Sequence, residues 1–70
     1  FHVPLRLPNR QSVTLTVYNL TGHTILEKEQ LLNAGNHDIT VNMDTYSSGI
    51  YFLQIKSTDY HSVHKMIYLK

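Results

Sequence analysis

The chain contains no cysteine among its 70 residues. A thiol nucleophile and a thiolate-bound metal are therefore excluded, and disulfides give no clue to the redox compartment. Charge is also sparse: Asp, Glu, Lys and Arg make up 16% of the residues, and the formal net charge is +1 with a sequence pI of about 8.3. So dilute a field leaves no electrostatic footprint for nucleic acid. No apolar run approaches the ~18 residues of a membrane-spanning helix. Gly22, Gly35 and Gly49 stand far apart and form no phosphate-cradling loop. No signal-peptide pattern is present, and the chain opens on Phe1 rather than Met, which suggests a piece of a larger polypeptide. Residues 1–70 are read as one domain, and a domain this short buries only roughly 60% of its unfolded surface.

What is present is strand periodicity. Val13 to Leu20 alternates with period two, placing Val13, Leu15 and Val17 on one face and Thr14, Thr16 and Tyr18 on the other. Thr21-Gly22 signals a turn, after which His23 to Leu32 reads as a second strand antiparallel to the first. The Ile-Leu-Glu-Lys-Glu-Gln-Leu-Leu stretch inside it has helix propensity, but the strands on both sides and the lack of a cap favour a strand. Asn33 to Asn36 is a reversal, and His37 to Met43 alternates again with Ile39, Val41 and Met43 inward. A turn-rich crossing, Asp44 to Gly49, leads to a strand with Tyr51, Leu53 and Ile55 on one face and Ile50, Phe52, Gln54 and Lys56 on the other. Thr58 to Tyr60 turns the chain into a last strand, His61 to Lys70, whose two faces are both partly apolar, so periodicity does not choose between them. Val3 to Leu7 fits a short edge strand, because Pro4 removes a ladder donor.

Short strands at these turn spacings predict an all-β fold, an immunoglobulin-like antiparallel β-sandwich, with Val13, Leu15, Val17, Ile39, Val41, Leu53 and Ile55 in its core. In such sandwiches a tyrosine near the start of a strand folds back so that its hydroxyl bonds upstream backbone and pins the corner between sheets. Tyr51, placed after Asp44 and Gly49, is positioned for that role.

Little in the chain points to catalysis. His61 and His64 are the only pair with metal-like spacing, yet a separation of three in a strand sends them to opposite faces. Glu27 and Glu29 share a strand face, but Lys28 lies between them and a solvated surface explains the pair. Ser47-Ser48 lacks the Gly-x-Ser-x-Gly setting of an activated serine. No catalytic, cofactor-binding or metal site is expected, and the protein is not read as an enzyme. Tyr18, Phe52, Tyr60 and Tyr68 supply outward aromatic surface, either as cross-strand pairs or as a platform for sugar rings.

Three stretches together resemble a known family. Leu5-Arg-Leu-Pro8 followed by Val13-Thr-Leu-Thr-Val-Tyr-Asn-Leu-Thr-Gly22, then Leu32-Asn-Ala-Gly-Asn-His37, then Ser48-Gly-Ile-Tyr51 with the closing Lys65-Met-Ile-Tyr-Leu-Lys70, are similar in order and spacing to the type A C-terminal sorting domain of the type IX (Por) secretion system of Bacteroidetes-type bacteria. The family's usual proline-asparagine-proline opening strand is absent here. The resemblance implies a non-catalytic signal at the end of a larger secreted precursor. The cargo enters the periplasm, is passed across the outer membrane when the type IX translocon recognises the domain, and is attached at the cell surface by a sortase-type cysteine peptidase. On that reading Gly49 and Tyr51 hold the final hairpin in register, while Lys65 and Lys70 offer charge at its rim. An exposed edge strand suggests β-augmentation by a receptor, or a homodimer. The competing expectation is an immunoglobulin-like accessory or carbohydrate-binding module of an extracellular enzyme.

Overall fold

The computed structural model describes residues 2–58 and 60–69. Among them six strands run in chain order: β1 (His2–Leu7), β2 (Gln11–Asn19), β3 (Thr24–Leu32), β4 (Gly35–Thr40), β5 (Gly49–Lys56) and β6 (His61–Tyr68). They form two antiparallel sheets, one of order β1-β4 and one of order β3-β2-β5-β6. The chain crosses between the sheets after β1, after β3 and after β4, so each layer is stitched to the other repeatedly. This is the all-β sandwich that the alternation predicts.

Each strand forms because its apolar residues recur at every second position, so one face of each layer is hydrophobic and must be covered. Val13, Leu15 and Val17 of β2 lie opposite Ile55 and Leu53 of β5 in this pattern, since Leu15 pairs with Ile55 and Val17 with Leu53. Those five are buried, and Val17, Leu53 and Ile55 are 0% exposed. Ile39 and Val41 close over them from the small sheet within a single hydrophobic cluster. All seven expected core positions are thus in the core.

Six further residues complete it: Met43 and Tyr51, on the inward faces that the alternation marks, and four that the alternation of the longer strands does not reveal. Val3, Leu5 and Leu7 of β1 point inward, although Pro4 made this strand read as a mere edge. It is an edge by pairing, bonded only to β4, yet its side chains are core. Met66 settles the last strand: it is buried opposite Tyr51, so the face carrying Ser62, His64, Met66 and Tyr68 is the inner one.

The turns depart slightly from expectation. β2 and β3 are joined by a loop in which the Gly22 N–H donates to the Asn19 carbonyl at 3.0 Å and Gly22 adopts φ of 85°. Only glycine takes that conformation without strain, so Thr21-Gly22 works as a turn for the predicted reason. The Asn19 side-chain oxygen accepts from the Thr21 N–H at 3.1 Å and the His23 N–H at 3.0 Å, fixing the loop. β4 starts at Gly35, two residues before the expected His37, and ends at Thr40; Val41 and Met43 remain buried beyond the strand. The expected final strand and turn also included Lys70 and Asp59, which lie outside the described residues.

Candidate functional site

The β5–β6 hairpin is built on a tyrosine corner. Gly49 opens β5 opposite Tyr68, and two residues on Tyr51 turns into the sandwich, 8% exposed. Its hydroxyl donates to the Ser47 carbonyl at 2.6 Å, reaching back across the Asp44–Gly49 crossing as expected. The Tyr46 ring lies against it, centroids 5.2 Å apart at 42°, and Met66 covers it from β6. The crossing is therefore held at both ends: the Tyr46 N–H donates to the Met43 carbonyl at 2.9 Å, and Tyr51 takes the Ser47 carbonyl. Burial, and then the neighbouring Tyr51, raise the Tyr46 phenol above its ordinary value of 10.0.

Gly49 has no positive φ, and a Cβ added there meets only the Tyr51 ring at 3.9 Å, an ordinary contact. Lys65 sits on β6 opposite Phe52, fully on the outer face and exposed. Tyr51 and Lys65 consequently lie on opposite faces of one hairpin and do not form a common patch. Tyr51 is buried and bonded to the crossing, whereas Lys65 is exposed to solvent. Lys70 lies outside the described residues.

Among the described residues β6 pairs with β5 alone, so its other flank is a sheet edge. It is lined outward by Val63, Lys65 and Ile67, with Val63 and Ile67 exposed. Sequence reasoning singled out the lysine but not these apolar neighbours; the signal was their shared parity with Lys65 once Met66 is placed inside.

The other candidate chemistry is dispersed. His61 pairs with Lys56 on the outer face while His64 pairs with Leu53 on the inner, so the two imidazoles are on opposite sides of the strand. Gln54 Nε2 lies 2.9 Å from His61 Nε2, and Ser62 Oγ lies 3.0 Å from His64 Nε2. Glu27 and Glu29 project from β3 into solvent opposite Thr16 and Thr14. Tyr18 and Phe52 are cross-strand partners with ring centroids 5.5 Å apart and planes at 23°. Each ring turns a face to the other, which is aromatic pairing within the sheet rather than a flat platform for a sugar. Among the described residues no group of three His, Asp or Glu side chains comes together in the manner of a metal site, and no helix is long and apolar enough to cross a membrane.

A small immunoglobulin-like sandwich, pinned by a tyrosine corner and ending in an edge-strand hairpin, is thus the class that fold and site define. The chain belongs to the secretion system C-terminal sorting domain family, the type IX sorting signals, whose model it matches over residues 1–69. No curated protein and no solved structure matches it. Membership makes the domain a sorting signal of an exported protein that interacts with the type IX secretion machinery, in a family that is not catalytic.

Proposed function

We propose that residues 1–70 are the sorting domain of a larger secreted precursor, and that the type IX translocon recognises it along β6 during transfer of the cargo across the outer membrane. A sortase-type cysteine peptidase then acts on the delivered precursor at the cell surface. The observation that carries this reading is the open flank of β6, an edge strand bearing exposed Lys65 between Val63 and Ile67. Such a flank presents unpaired backbone donors and acceptors to a receptor strand, and alternate side chains give selectivity. Tyr51 and Gly49 serve it indirectly, Tyr51 by holding the crossing that leads into β5.

The test joins the domain to the C-terminus of a foreign periplasmic protein in a bacterium that has the type IX apparatus, and measures surface delivery. The wild-type domain delivers the cargo. Lys65→Ala with Lys70→Ala, the first of them at an exposed position where truncation is expected to move stability by no more than ~0.5 kcal/mol, reduces delivery while the domain stays folded. Normal delivery by that double variant removes the lysine charges as contacts. Normal delivery by a folded variant lacking residues 65–70 overturns recognition along β6.

A further inference from the structure

The outer face of the four-stranded sheet is divided by charge. Register places Glu27 and Glu29 of edge strand β3 on this face, opposite Thr16 and Thr14. Across β2, Lys56 of β5 pairs with His61 and Phe52 pairs with Lys65, so both lysines lie on the β5–β6 half. All four charged side chains are exposed. Acid therefore occupies edge strand β3, while base occupies the neighbouring pair β5 and β6, with the Tyr18–Phe52 stack in the cross-strand row of Lys65. Val63 at 47% and Ile67 at 66% exposure add apolar surface to the basic half.

From this geometry we infer that the face binds a second copy of the chain, through a two-fold axis lying in the interface and parallel to the strands. That rotation alone lays β3 of one copy over β6 of the other while keeping position along the strands. Glu29 then meets the row of Lys56 and His61, and Glu27 meets the next row, Gln54 and Val63, next to that of Lys65. An in-plane axis across the strands would instead superpose β3 on β3, setting Glu27 and Glu29 against their own copies, which like-charge repulsion disfavours. The arrangement is isologous and closes at two copies. Face-to-face sheets aligned in this way are an ordinary packing of twisted sheets.

Area sets the strength. Four strands about 4.8 Å apart and about eight residues long at ~3.3 Å per residue cover roughly 500 Å². Two such faces bury about 1,000 Å² in total, the lower bound of a specific interface, so the pairing is weak and reversible. The self-association expected from an open edge strand has in this face an alternative route, with matched charge to orient it.

Sedimentation of the full chain across about 10 μM to about 1 mM, the span appropriate to a small interface, tests the inference. The wild type should rise toward twice its monomer mass, and less so at high salt, because exposed pairs are screened. Glu27→Lys with Glu29→Lys makes the face uniformly basic, and Lys56→Glu with Lys65→Glu makes it uniformly acidic. Each variant alone should self-associate at least about tenfold more weakly, and an equimolar mixture of the two should recover a heterodimer. A wild type monomeric throughout overturns the inference. So does a dimer that persists unchanged in both variants, which would place pairing at an edge, or a mixture that stays monomeric. Far-UV circular dichroism on each variant confirms that a lost dimer is not a lost fold.

Discussion

Replacing Tyr51 with phenylalanine removes one oxygen and leaves the ring against Tyr46 and Met66. The oxygen donates to the Ser47 carbonyl at 2.6 Å. A typical intramolecular hydrogen bond contributes about 0.5–1.5 kcal/mol net, because water competes for both partners in the unfolded chain. Ser47 is exposed, so its carbonyl regains water in the variant and no buried acceptor is orphaned. The expected loss is therefore about 1 kcal/mol, which in a domain of this size lowers Tm by about 4–8 °C. Thermal unfolding followed by circular dichroism measures it. Urea unfolding checks it independently, with a midpoint lowered by about 1 M if m is about 1 kcal/mol/M. Tyr18→Phe is the control, since its ring is held by stacking on Phe52 rather than by the crossing, and it should stay within ~0.5 kcal/mol of wild type. A Tyr51→Phe midpoint equal to that of wild type, or no lower than that of the control, refutes the corner. Tyr51→Ala removes the ring too, at about 3–5 kcal/mol. A 70-residue chain has only about 3.5–10 kcal/mol in all, so that variant should lose at least about a third of its stability.

Leu53→Ala, at a fully buried position on the central pair of strands, should cost about 2–5 kcal/mol by urea denaturation. Gly22→Ala forces a side chain into φ of 85° and should cost about 1–3 kcal/mol, whereas Gly49→Ala, with room for a Cβ, should change the midpoint by less than ~0.5 kcal/mol. A stronger effect at Gly49 than at Gly22 would contradict the backbone argument. Because Tyr46 is raised in the folded state, the native protein holds its proton longer than the unfolded chain; stability is fully present below the ordinary value of 10.0 and falls as pH rises through the folded value. Tyr46→Phe should remove part of that alkaline loss, and ultraviolet titration of the phenolates should lose a component that ionises above the ordinary value.

Strand identity was legible wherever one face is buried and the other is wet, because the period of two then writes the fold directly into the residue order. β2 and β5 are the clear cases, and the Gly22 turn and the Tyr51 corner followed from local chemistry beside them. What stayed hidden was non-local. Pro4 speaks to hydrogen bonding and says nothing about which way Val3, Leu5 and Leu7 point, so β1 was legible as an edge and not as core. The pairing of β1 with β4, and with it the division into two strands against four, depends on contacts between residues far apart in the chain, such as Val3 with Ile39. The Tyr18–Phe52 stack is likewise a product of register, invisible until Val17 is matched to Leu53.

The last strand joins legibility to function. Its residues are apolar on both faces, and that ambiguity has a physical source: the inner face must cover Tyr51 and Leu53, while the outer one still carries Val63 and Ile67 in solvent. Val63 and Ile67 flank exposed Lys65 on that outer face, so the recognition proposed along β6 would meet apolar and charged groups together. Neighbouring residues in β6 accordingly answer to different demands. Met66, 1% exposed, belongs to stability, and its truncation to alanine should cost about 2–5 kcal/mol. Lys65, one position earlier, points the other way and should cost almost nothing to truncate. Deleting residues 65–70 removes both at once, so a failure of export after deletion reports unfolding as readily as lost recognition. Export that fails in Lys65→Ala at unchanged Tm, and persists in a mildly destabilised Met66→Leu, assigns recognition to the outer face of β6; the reverse pattern assigns it to folding alone.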